Sequence, residues 1–127
     1  MNLEGRIIKC GEVEGEAIVS KEPIGFLGGV DPETGMIIEK GHPLEGKSIK
    51  GKILVFPIGK GSTVSSYVLY RMKKNNTAPL GIINEECEPI VAVGAIISNI
   101  ACVDKIKISE IKTGDKVKIE GEKVTVG

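Results

Sequence analysis

Short apolar runs separated by glycine-bearing turns fill the first half of this chain, and one longer helical period breaks that rhythm near the middle. Residues 6–10 and 15–20 are strand-length runs, the second with alternation. Residues 24–27 form a weaker third. Asp31-Pro32-Glu33-Thr34-Gly35 spells a turn: proline pre-sets φ, aspartate bonds the backbone ahead and glycine accepts positive φ. Residues 36–38 lead into a loop over 41–46. The first half therefore reads as β-structure. Residues 52–56 (Lys-Ile-Leu-Val-Phe) read as a buried strand, and 64–74 as a helix. Val64, Tyr67, Val68 and Met72 make one apolar stripe along it, with Arg71, Lys73 and Lys74 in the last turn, where cations suit the helix dipole. Asn75-Asn76 ends it.

A further buried strand over 80–84 completes a strand–helix–strand order, which predicts a right-handed parallel crossover. Residues 89–98 are apolar on nearly all sides. Proline at a first turn and the small pair Gly94-Ala95 favour a short buried helix; a strand is the alternative, since periodicity cannot decide here. Residues 116–126 alternate around a glycine and read as a β-hairpin.

Length and charge narrow the function classes. The 127 residues suffice for one domain, spanning 1–127, with its own core. Seventeen acidic and seventeen basic side chains cancel, and the aromatics are two Tyr and two Phe with no Trp. Neither a basic nucleic-acid surface nor a base-stacking platform is expected. No apolar run approaches the roughly 20 residues of a membrane span, and the first residues lack signal-peptide features. The default expectation is cytoplasmic. Cys10, Cys87 and Cys102 are too scattered for a zinc or iron–sulfur motif and read as buried thiols. His42, the lone histidine, cannot build a metal site, so no metal is expected on this chain. Residues 85–88 read as a solvated acidic turn.

The segment that invites chemistry is Pro57-Ile58-Gly59-Lys60-Gly61-Ser62-Thr63, between the 52–56 strand and the 64–74 helix. Glycines there let backbone N–H groups approach a ligand, and the helix N-terminus adds partial positive charge. Ser62 or Thr63 is expected at the N-cap. Neither the P-loop nor the dinucleotide fingerprint fits the spacing. The same residues also read as a plain glycine turn with a serine cap. Asp31, His42 and Glu45 lie in loops where turn chemistry explains each singly; together they hint at loops gathered near one end of a sheet.

In order and spacing, several runs together resemble the aconitase X swivel domain family. These are residues 29–35 (Gly-Val-Asp-Pro-Glu-Thr-Gly), 41–46 (Gly-His-Pro-Leu-Glu-Gly), 51–57, Gly59-Lys60-Gly61-Ser62 and 88–97. The resemblance covers about residues 5 to 120. It implies an α/β swivelling β/β/α domain like the C-terminal domain of aconitase, mostly β with one or two central helices. It implies a hydro-lyase subunit, active only with a larger aconitase-like partner that carries an iron–sulfur ([4Fe-4S]) cluster; this chain alone would bind no cofactor. The implied substrate is a small phosphorylated hydroxy acid, mevalonate 5-phosphate, losing water to give trans-anhydromevalonate 5-phosphate in an isoprenoid pathway. Relatives dehydrate a hydroxyproline instead, and a non-catalytic phosphate-binding or docking module is the remaining alternative. The family's Gly-x-Gly-Ser serine maps onto Ser62 as proton acceptor, with Gly59, Lys60, Gly61 and Thr63 as substrate-binding neighbours and Asp31 and His42 as possible site-loop residues. Family members often carry arginine where Lys60 stands, so the bidentate geometry is lost here but a point charge remains. A serine acts as a base only if its alkoxide is stabilised; the N–H groups of residues 61–64, the helix dipole and Lys60 are the available sources.

Overall fold

The computed structural model describes residues 1–60 and 62–127. Its strands are β1 (Asn2–Glu4), β2 (Arg6–Lys9), β3 (Glu12–Val19), β4 (Ile53–Phe56), β5 (Gly81–Asn84), β6 (Ala101–Asp104), β7 (Lys116–Glu120) and β8 (Lys123–Val126). The helices are α1 (Phe26–Gly29), a single turn, α2 (Ser65–Lys74) and α3 (Pro89–Ser98). Strands follow one another across the sheet in the order β1-β8-β7-β3-β4-β5-β6-β2.

The long strand β3 joins two sheet regions of different character. Its first part, Glu12 to Glu16, pairs antiparallel with β7, while Ala17 to Val19 pair parallel with β4. Strands β4, β5 and β6 continue the parallel part, and every one of their residues is buried. Such strands are covered on both faces, which their unbroken apolar runs permit. Leu54, Phe56, Ile82 and Cys102 project into a cluster with Leu69 and Ala95 of the helices. Ile53, Val55, Ile83 and Val103 project into a second cluster with Val117, Ile119 and Val124 of the antiparallel sheet. Two cores on opposite faces of the parallel strands make three layers, β/β/α, the architecture expected from the resemblance.

Several expectations need correction. Residues 24–27 are not a strand: only Ile24 bridges to Gly59, and Gly28, at φ +80°, turns the chain within α1. Residues 20–52 hold isolated bridges and turns rather than strands, so the first half is less β than its pattern suggests. The α2 stripe is rotated: Ser65, Ser66, Leu69 and Met72 face inward, whereas Val64 and Tyr67 are exposed. The reason is close helix packing. A Cβ on Gly94 of α3 would stand 3.2 Å from the Ser66 Cα, so small residues must meet there. Helix α3 forms as expected but is only half buried, with Val93, Ile96 and Ile97 open on its outer face. Cys10 is exposed rather than buried. Strands β1 and β6 carried no recognised signal.

The edge strand β2 is fastened by charge as well as by its ladder to β6. Arg6 forms a bidentate pair with Asp104, whose carboxylate is fully buried and also accepts the Cys87 N–H at 2.9 Å. Burial pushes the Asp104 carboxyl up, but the hydrogen bonds from Arg6 and Cys87 outweigh it and hold the group below the usual range. A carboxyl held low stabilises the fold above its unfolded pKa, and that contribution is lost as pH falls through the lowered folded value. Without Arg6, burial prevails, and ionised Asp104 opposes folding at neutral pH. Arg6→Ala should therefore melt below the wild type by a gap that is widest at about pH 7 and closes toward about pH 3, as calorimetry across that range would read. A gap independent of pH would contradict this account of the pair.

Candidate active site

All four parallel strands end at one edge of the sheet, the edge outside which α/β folds place their ligands. The chain leaves β4 there through Pro57 and reaches α2 through the predicted glycine segment. That segment is held from two sides. Gly59 bridges to Ile24, and Lys60 N–H donates to the Ile24 carbonyl at 2.9 Å. On the other side lies α3: a Cβ on Gly59 would stand 2.4 Å from Val91 Cγ2, so any side chain there would have to displace Val91.

Ser62 stands just ahead of α2 and is half-buried. Its hydroxyl accepts the Val64 N–H at 3.1 Å, and its carbonyl accepts the Ser65 N–H at 2.9 Å. The N-cap position itself is Val64, which offers no side-chain bond, so the expected capping by Ser62 or Thr63 is displaced by a preliminary turn. Thr63 is exposed, and its carbonyl accepts the Ser66 hydroxyl. There is no acidic side chain in the first turn of α2, whereas the α3 N-terminus is closed by Glu88, which accepts the Val91 N–H. The positive end of α2 thus faces Ser62 without a competing carboxylate on its own turn. Lys60, two residues before Ser62 in the chain, has its ammonium paired to Glu39 at 3.0 Å, both partly exposed. Gly61 lies outside the described residues.

The two loop residues sit differently. His42 is buried, with Nδ1 accepting the Leu44 N–H and Nε2 donating to the Pro23 carbonyl. Both ring nitrogens are engaged, and the ring steadies the Pro23–Ile24 backbone that pairs with Gly59 and Lys60. Asp31 accepts the Glu33 N–H within its own turn. That turn packs on the C-terminal end of α2, through Glu33 on Arg71 and the Pro32 carbonyl on Asn75 and Thr77. These contacts on α2 begin at Arg71, toward the end of the helix away from Ser62.

Cys87 and Cys102 lie buried with sulfurs 3.8 Å apart, while Cys10, exposed, directly follows Lys9, the register partner of Cys102. The shared hydrogen bond pulls the Cys87 thiol down, and the same bond with burial pushes Cys102 far up. Among the described residues no group of three or more His, Cys, Asp or Glu side chains could hold a metal ion. These residues therefore do not fit an iron–sulfur cluster. No described helix is long and apolar enough to cross a membrane.

Comparisons with known proteins agree with this geometry. The sequence profile described as the aconitase X swivel domain matches residues 2–127. Proteins named phosphomevalonate dehydratase small subunit are similar: one from Methanosarcina acetivorans is 58% identical, over 95% of this chain and 86% of the relative. Another, from Thermococcus kodakarensis, is 57% identical, over 96% of this chain and 92% of the relative. The crystal structure of Thermococcus kodakaraensis aconitase X in its holo form superposes with a TM-score of 0.98 at 54% identity, covering 100% of this chain and 98% of that one. With profile, relatives and fold in agreement over nearly its whole length, the chain belongs to the aconitase X swivel domain family.

Proposed function

We propose that this chain is the small subunit of phosphomevalonate dehydratase, a hydro-lyase that converts mevalonate 5-phosphate to trans-anhydromevalonate 5-phosphate. Relatives that carry that name and share more than half of their residues support the reading. The observation that gives it chemistry is the Val64 N–H on Ser62 Oγ, at the uncapped positive end of α2. A donor already aimed at that oxygen is what an alkoxide needs. In this reading Ser62 takes the proton from the carbon beside the substrate carboxylate. The electron pair of that C–H bond becomes the new double bond, and hydroxide departs from the neighbouring carbon. Lys60, with backbone N–H groups around Gly59, Gly61 and Thr63, attracts the anionic substrate; Lys60 exchanges Glu39 for it on binding. The iron–sulfur cluster is assigned to the large subunit, where it would supply a Lewis acid.

The outer face of α3 goes to that large subunit. Its ten residues contain no charged side chain, yet Val93, Ile96 and Ile97 are each close to half exposed. Its first turn packs through Val91 on Gly59, which brings the start of α3 beside the segment that leads to Ser62. The substrate assignment is tested by offering the anaerobically assembled pair mevalonate 5-phosphate and, separately, a hydroxyproline, and following loss of water by mass spectrometry. Dehydration of the phosphorylated acid alone is expected. Dehydration of the hydroxyproline alone would move the chain to the other branch of the family.

A further inference from the structure

The exit of β4 is held by an unusual set of donors. Phe56 and Asn84 are register partners at the ends of β4 and β5. Beyond them the Glu85 and Glu86 N–H groups both turn to the Pro57 carbonyl, each at 3.1 Å. The Phe56 carbonyl accepts instead from a side chain, Asn84 Nδ2, at 2.9 Å. Three donors of one turn thus hold the first carbonyls of the segment that ends at Ser62. The turn is itself anchored: Asn84 and Glu85 carbonyls accept from Ile106 and Lys105, and Cys87 N–H donates to Asp104.

Asn84 is the one side chain among those three donors, and it is fully buried. As the partner of Phe56 it projects to the helix side of the sheet, among apolar groups. Its Oδ1 has no hydrogen-bond partner among the described residues. A buried unpartnered carbonyl opposes folding, and an aliphatic side chain would avoid that penalty. Asparagine here leaves one carbonyl unpaired among the described residues, and what it supplies is the bond to Phe56.

We propose that Asn84 is a positioning residue for the reaction at Ser62: through the Phe56 carbonyl it sets the path by which residues 57–60 leave the sheet toward Ser62. This rests on the reading of Ser62 as the base. The path is stiff downstream, because Gly59 is already in close contact with Val91 and bridged to Ile24. A shift at Phe56 therefore reaches Gly59 and Lys60, just ahead of Ser62 in the chain.

The test uses the assembled two-subunit enzyme with Asn84→Leu, Asn84→Asp and Ser62→Ala side by side. Asn84→Leu removes one unpaired buried carbonyl, its own, and leaves another, that of Phe56, so it should fold with a Tm close to wild type and bind the large subunit normally, with kcat down about 100-fold and KM nearly unchanged, the scale of a small misplacement of a reacting group. Asn84→Asp should be impaired at alkaline pH. It should regain kcat as pH falls, when the buried carboxyl takes a proton and donates to Phe56 in place of the amide. Neither the wild type nor Asn84→Leu should show that recovery. An inactive Ser62→Ala beside a fully active Asn84→Leu overturns this proposal alone. An Asn84→Asp profile parallel to the wild type also overturns it. A fully active Ser62→Ala overturns the reading beneath it, and this proposal with it.

Discussion

Ser62→Ala is expected to lower kcat of the assembled enzyme by about 1,000-fold, within the range that a positioned proton-transfer group contributes. Substrate KM and subunit association should change little. The structural loss is small by comparison. Ser62 Oγ accepts one backbone N–H, that of Val64, and loss of such a cap-like bond costs about 1 kcal/mol. A plain cap and a catalytic base therefore predict different outcomes from one variant. Both readings predict the same modest fall in Tm; the cap predicts activity per folded complex near wild type, and the base predicts a dead complex. Initial rates separate them, with calorimetry on the same preparation to read the folded state.

The second large effect is on assembly. Val93→Lys combined with Ile96→Lys should weaken binding to the large subunit by at least about 100-fold, the scale of losing central interface anchors. Both side chains lie on the solvent side of α3 in the free chain, about half exposed, while Val91, Gly94, Ala95 and Ser98 make the inward face. The substitutions thus leave the core intact, and the variant should show wild-type circular dichroism and Tm. Once bound, the same two ammonium groups would have to be desolvated without partners, which is what makes the change costly there and harmless before. Titration calorimetry against the large subunit reads the difference. Unaltered affinity would remove α3 from the interface.

Much of this architecture was legible because apolar runs of strand length sat between glycine turns. Strands β4 and β5, helix α2 and the terminal hairpin all carried that signal. Strand β6 did not: Ala101, Cys102 and Val103 follow directly on the apolar helix α3, and only Asn99, in the left-handed conformation, marks the boundary. The α2 stripe was misplaced because helical periodicity favours bulky residues inside. Here Gly94 approaches Ser66, and Ser65 accepts the Leu27 N–H, so both serines lie inside while Tyr67 is out. Residues 20–52 defeat pattern reading since their order comes from scattered backbone bonds and from side chains such as His42, whose ring bridges two loops. At the site, Ser62 was legible through the Gly-x-Gly-Ser resemblance and the strand-to-helix context. Asn84 had no such mark, because its significance depends on a neighbour 28 residues away brought beside it by the parallel ladder.

The most direct measurement holds the large subunit at fixed concentration under anaerobic conditions and adds this chain stepwise with mevalonate 5-phosphate present. The account predicts no dehydration at the start, then a rise in rate that saturates at a fixed ratio of the two chains, and no rise when Ser62→Ala is added instead. Full dehydratase activity from the large subunit alone would contradict it.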